Sequence, residues 1–214
     1  LPLTKSDGTY SKTWASTSLF PADQGFKVGT YTMTAFYGSL DDEGFERPYF
    51  AGSETFEVQE DRTTDVAITA TLQNSMVSIA YTDAFQRYFR DWSAKLHSEG
   101  GDYVDYPKGE TRPAYLRPGH VAIALSITKP NGVSATLQPA DFDAEARHHY
   151  RITFDVYDGE VGEAQLRIIF DDTVDEENVE IDLSDELLTA PAPEVQPQGF
   201  TAGAVYTAIK KREN

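Results

Sequence analysis

The sequence predicts an all-β protein: two tandem antiparallel β-sandwiches with one short helix. Apolar and polar residues alternate in many short runs, the pattern of strands buried on one face. Clusters of glycine, proline, asparagine and aspartate punctuate those runs as tight turns would. One segment, AFQRYFRDW, keeps the 3.6-residue period of a helix. Frequent turns and a single helical segment favour sandwiches of immunoglobulin-like or transthyretin-like shape over alternating α/β layers.

The stretch FKVGTYTMTAFYG, residues 26–38, opens the series. Gly29 and Gly38 bound a strand that puts Tyr31, Met33, Ala35 and Tyr37 on a core face and Thr30, Thr32, Thr34 and Phe36 on the other. SLDDEGFERPYFAG reads as a loop, in which Phe45, Tyr49 and Phe50 either form a partner-binding patch or tuck over the first sandwich. ETFEVQ carries Phe56 and Val58 inward, and TTDVAITATLQ does the same with Val66, Ile68, Ala70 and Leu72. The break at Asn74 and Ser75 sets the first domain at 1–74 and the second at 75–190.

In the second domain MVSIAYT turns Val77, Ile79 and Tyr81 inward. Phe85, Tyr88, Phe89 and Trp92 then share one face of a helix over about 84–91. WSAKLH alternates again, and residues 99–119 read as a loop rich in glycine and tyrosine. HVAIALSI supplies Val121, Ile123, Leu125 and Ile127, and PNG at 130–132 is a hairpin turn into VSATLQ. HYRITFDVY, AQLRIIF and VEIDLS continue the antiparallel series through Tyr150, Ile152, Phe154, Val156, Leu166, Ile168, Phe170, Val179, Ile181 and Leu183. Residues 191–214 form a third, proline-rich segment whose end, TAGAVYTAIKKREN, suits a strand or a short helix. Its readings are a strand of its own domain, a stem to a further domain, or a strand exchanged with a neighbouring molecule.

Composition removes several functions. Of 214 residues 40% are hydrophobic and 26 are aromatic, enough for packed cores. Thirty-five acidic against 18 basic residues give a net charge of −17, which repels phosphate backbones and argues against nucleic acid as a partner. The absence of cysteine removes disulfides, thiolate metal sites and cysteine nucleophiles. No run of 18 apolar residues occurs, and LPLTKSDG has neither the basic nor the apolar region of a signal peptide, so the chain is expected to be soluble. No nucleophile elbow, HExxH, P-loop or dinucleotide motif is present, and the expectation is a protein that is not an enzyme.

The run from GTYTMTAFYG through GFERPYFAGSETFEV and TTDVAITATLQNSMVSIAYTDAFQRYFRDWS, with YRITFDVYDG, AQLRIIFDD and VEIDLSDEL, resembles a Bacteroides-type surface lipoprotein family. Its members are described as domains of unknown function or as cell-adhesion, fimbrillin-like proteins. The resemblance covers roughly residues 10–190. It implies β-sandwich domains at the cell surface, tethered to the outer membrane by a lipidated cysteine upstream of residue 1. It carries over no catalytic or ligand residues. The function expected is a non-enzymatic surface protein, an adhesin or a subunit of a surface assembly, and the alternative is a carbohydrate-binding module for glycan capture.

Three groups of residues are candidate sites. The acidic run 171–186 holds nine carboxylates and no base; Asp171, Asp172 and Asp175, with Glu176 and Glu177, suit calcium in a hairpin loop, or else form a solvated loop that protects a sheet edge. No cofactor other than such a calcium ion is expected. His148 and His149 point to opposite faces of a strand and cannot share an ion, with His97 and His120 distant in sequence. Tyr103, Tyr106 and Tyr115, beside Asp102 and Asp105, offer aromatic faces next to carboxylates as a glycan platform requires, or fold back to cap the second core.

Overall fold

In the computed structural model, residues 1–21, 24–158, 164–171 and 176–182 are described. The chain divides between Asn74 and Ser75 into two units, except that residues 43–46 belong to the second. The all-β class is as expected.

The first unit is organised by β3 (Gly29–Tyr37), whose core face carries Tyr31 and Met33. β1 (Pro2–Lys5) and β2 (Ser11–Thr13) pair on one side of it. Residues 44 and 45 form β4 (Gly44–Phe45), which leaves this unit for the second. β5 (Phe50–Val58) pairs on the other side of β3, followed by β6 (Thr71–Leu72), to give one antiparallel sheet in the order β2-β1-β3-β5-β6. Phe50 thus begins a strand where the sequence reads as loop.

Among the described residues this unit has a single sheet. Its second layer is chain carrying Trp14, Phe20, Phe26 and Ile68 onto Leu3, Tyr31, Met33 and Phe56. Phe20 and Phe26 lie stacked at 6.0 Å, and the Tyr31 hydroxyl donates to the Lys27 carbonyl at 2.9 Å, which fixes the covering loop to the sheet. The strand expected over TTDVAITATLQ joins the ladder only at Thr71 and Leu72, although Val66 and Ile68 remain half-buried. The reason is a crossing: a Cβ on Gly52 would lie 2.2 Å from the Thr69 carbonyl oxygen, so the chain passes over β5 here instead of beside it.

The second unit is a sandwich. β7 (Ser75–Tyr81) is followed by α1 (Asp83–Tyr88), β8 (Asp91–Ser98), β9 (Tyr103–Pro107), β10 (Ala114–Leu116), β11 (Gly119–Thr128) and β12 (Ser134–Ala144). β13 (His149–Asp158), β14 (Ala164–Asp171) and β15 (Glu176–Asp182) complete the described strands. One sheet has the order β15-β14-β13-β7-β10-β4 and the other β12-β11-β8-β9. Their facing residues, among them Val77, Ile79, Leu96, Tyr106, Ile123, Leu125, Ile152, Phe154 and Ile168, form one core.

β13 runs parallel to β7, against the expectation of purely antiparallel pairing. The chain between them is long enough for the crossover that parallel strands need. The loop expected over 99–119 contains β9 and β10. Thr82 caps the helix, its Oγ1 accepting from the Phe85 N–H at 3.2 Å and donating to Asp155 at 2.6 Å. The helix stops at Tyr88, short of the expected 91, because the Arg90 N–H already donates to the Thr128 carbonyl and draws the chain into β8 with Trp92. PNG closes the β11–β12 hairpin, with Lys129 N–H donating to the Val133 carbonyl.

Candidate functional site

Within the first unit the covering loops and the sheet border a groove of about 1150 Å³. Phe26, Phe56 and Val58, half-buried, make its apolar walls over the buried Leu3, Tyr31 and Met33, and residues 59–65 form a charged lip with Glu60, Asp61, Arg62 and Asp65. Along β5 the same sheet face carries Phe56, half-buried, and then Glu54, exposed opposite Met33, so the core face passes into solvent. Farther along the same face Tyr37 and Phe50 stand opposite each other, both exposed.

Within the second unit the outer face of the four-stranded sheet forms another surface. Cross-strand pairing aligns Tyr103 with His97, Asp105 with Lys95 and Pro107 with Ser93. Tyr103 is 64% exposed, and its ring lies nearly parallel to the His97 ring, centroids 4.3 Å apart. Lys95 pairs with Asp105 at 3.1 Å, and its Nζ sits 5.9 Å from the Tyr103 ring centre. β11 continues the face through Ala122, Ala124, Ser126 and Thr128. At its end lies a hollow of about 370 Å³, lined among others by Asp91, Ser93, Lys108, Ser126 and Thr128.

Of the three tyrosines expected to form a glycan platform, the structure keeps one at the surface of this sheet. Tyr106 is a correction: it is fully buried, its hydroxyl donating to the Val77 carbonyl at 2.6 Å and accepting from the Ala114 N–H at 2.9 Å. Burial pushes its phenol above the ordinary tyrosine range. It stands three positions on from Tyr103, an odd offset that puts the two rings on opposite faces of β9. Tyr115, half-buried, belongs to β10 in the other sheet, where its neighbours Ala114 and Leu116 face the core. Tyr103 and Tyr115 therefore lie on opposite outer sides of the sandwich. His97 and Lys95 were missed, although alternation in YVDYP against WSAKLH carries the signal.

The calcium reading rests on residues at the margin of the described chain. Asp171 is the last residue of β14; Asp172 and Asp175 lie outside the described residues. Glu176 and Glu177 belong to β15 and not to a loop. Among the described residues no group of three or more histidine, aspartate or glutamate side chains is placed to hold a metal ion. His149 opens β13, its Nε2 2.6 Å from Ser78 Oγ on β7. The segment 191–214 lies outside the described residues.

Phe45 is corrected too, since it leaves the first unit and packs edge-on against Tyr106 of the second at 4.9 Å. Beside it, Glu43 is enclosed, its side chain 1% exposed. Its carboxylate accepts from Ser98 Oγ at 2.6 Å and from the Arg117 N–H at 2.6 Å, with Arg117 Nε at 3.6 Å. Gly101 makes room for it, because a Cβ there would lie 1.9 Å from Glu43 Oε2. Arg112 lies over the Phe45 ring at 4.8 Å and binds Glu110 at 2.9 Å, holding that carboxyl down at about 2.

Fold and surfaces together define an all-β chain of two units, one with an open apolar groove and one with a flat polar sheet face. The chain belongs to the family described as "Domain of unknown function (DUF4493)", whose pattern matches residues 3–185. No curated protein matches. One solved structure to which the chain is similar is described as a "putative cell adhesion protein" from Bacteroides uniformis ATCC 8492. That similarity is at 13% identity, covers 68% of this chain and 72% of that one, and has a TM-score of 0.33. No helix among the described residues is long and apolar enough to cross a membrane.

Proposed function

We propose that this chain is a non-catalytic protein of the cell surface that holds a second protein, as an adhesin or as a subunit of a surface assembly. The lipid tether to the outer membrane that the family resemblance implies belongs to the same reading. The observation that carries it is the open groove of the first unit. A sheet normally buries one whole face against a second layer. Here the loops bury Tyr31 and Met33 but leave Phe26, Phe56, Val58, Val66 and Ile68 only half-buried around a groove of about 1150 Å³. Apolar surface of that kind gains free energy when a partner removes it from water, at roughly 25 cal/mol per Å². The charged lip at 59–65 would set which partners approach. No cofactor is required.

The test is photo-crosslinking in the native host cells from a benzophenone amino acid placed at Val58, on the groove wall, with Lys12 on the exposed strand β2 as the comparison. The expected result is a covalent adduct with a discrete surface protein from Val58 alone. No adduct, or the same adducts from both positions, would overturn the proposal.

A further inference from the structure

We propose that the outer face of the four-stranded sheet in the second unit is a binding site for a neutral oligosaccharide, with the Tyr103 ring as its stacking platform. A single exposed ring needs no explanation. This one shares a face with features that suit a sugar chain. His97, its cross-strand neighbour, stacks on one face of the ring at 4.3 Å and holds it in place, while the residue stays 64% exposed. Sugars present apolar C–H faces that settle on such rings, while their hydroxyls need groups that both donate and accept.

Those groups stand along the same face. From His97 back to Ser93 along β8 is about 13 Å at the rise of a strand, a span suited to a short run of sugar units. Over that span the neighbouring strand β11 presents Ala122 and Ala124, small side chains that leave a flat floor. The floor ends in the hollow of about 370 Å³, where Ser93, Ser126 and Thr128 bring hydroxyls and Asp91 a carboxylate, while the Lys108 ammonium donates to the Arg90 carbonyl at 2.9 Å and lies over the Trp92 ring at 3.9 Å. Ser126 and Thr128 already exchange hydroxyl contacts with Thr136 and Ser134 at 3.0 and 2.9 Å, so their orientation is set before a ligand arrives.

Charge decides the class of sugar. Lys95 beside the ring is neutralised by Asp105 at 3.1 Å, and the net charge of −17 repels acidic chains. The site is therefore assigned to uncharged sugars. It lies on a different unit from the groove and stands or falls separately from it.

The experiment presents the full chain to an array of neutral and acidic oligosaccharides and follows the best neutral binder by titration calorimetry. Binding to a neutral oligosaccharide is expected, weakened about tenfold or more by Tyr103→Ala and preserved within a few fold by Tyr103→Phe and Tyr115→Ala. Tyr103 is exposed, so its two variants should keep the melting temperature of the parent, which separates lost contact from lost fold. Absence of any neutral binder, binding confined to acidic sugars, or binding indifferent to Tyr103→Ala would each overturn the assignment.

Discussion

Glu43 gives the sharpest test of how the second unit is built. Its carboxylate is enclosed and accepts from the Ser98 hydroxyl and the Arg117 N–H, both at 2.6 Å, with Arg117 Nε nearby at 3.6 Å. Glu43→Ala would leave two buried donors and a partly covered cation without their acceptor. Breaking a buried charged pair from one side costs about 3–5 kcal/mol, because the partner stays desolvated. For a unit of this size 1 kcal/mol moves the melting midpoint by about 3 °C, so a fall of about 10 °C or more is expected. Glu43→Gln keeps the shape and one acceptor, and should cost about 1–3 kcal/mol. Unfolding can be followed through Trp92, buried in the second unit, in a Trp14→Phe background that silences the first. The backbone amides that pair β4 with β10 should also exchange faster with solvent. If Glu43→Ala melts with its parent, the residue is no anchor and the reasoning fails.

Asp155 links the helix cap to the sheet through Thr82 and Arg167. Burial pushes its carboxyl up, but the bonds from Thr82 and Arg167 outweigh that, and the folded-state pKa is lowered. A group depressed in this way stabilises above its unfolded pKa of about 4 and loses that contribution as pH falls through the folded value. Asp155→Asn should therefore lower stability at pH 7 and flatten its decline below pH of about 4; an unchanged acid profile in urea titrations would contradict the sign. Gly52→Ala puts a methyl group 2.2 Å from the Thr69 oxygen and should destabilise the first unit by about 1–3 kcal/mol, read through Trp14 fluorescence. Tyr106→Phe strands the Val77 carbonyl and the Ala114 N–H and should cost about 1–3 kcal/mol in urea unfolding, with no loss of sugar binding.

Much of the fold was legible because alternation is a local property. In β3, β8, β11 and β13 every second side chain is apolar, and only a strand buried on one face satisfies that. The core positions Tyr31, Met33, Val121, Ile123, Leu125, Ile152 and Phe154 followed directly. The helix was equally local, except at its end. Trp92 fits a helical stripe and a strand face alike, and a backbone bond from Arg90 to Thr128, 38 positions away, chose between them. The candidate site was legible only in part: Tyr103 could be named, but not the His97 ring against which it lies.

The amino-acid sequence by itself determined the β class and most strand faces, since each depends on residues a few positions apart. Tertiary structure alone decided which strands became neighbours. The parallel pairing of β7 with β13, the passage of 69–70 over Gly52, and the departure of Glu43, Gly44 and Phe45 into the second unit join residues far apart in the chain. It also separated Tyr103 from Tyr106, which look equivalent as letters, by placing one on solvent and the other in the core. A local pattern shows that a side chain has a face to bury; the closure of the whole chain selects what buries it, because that gain depends on surfaces that meet only after folding.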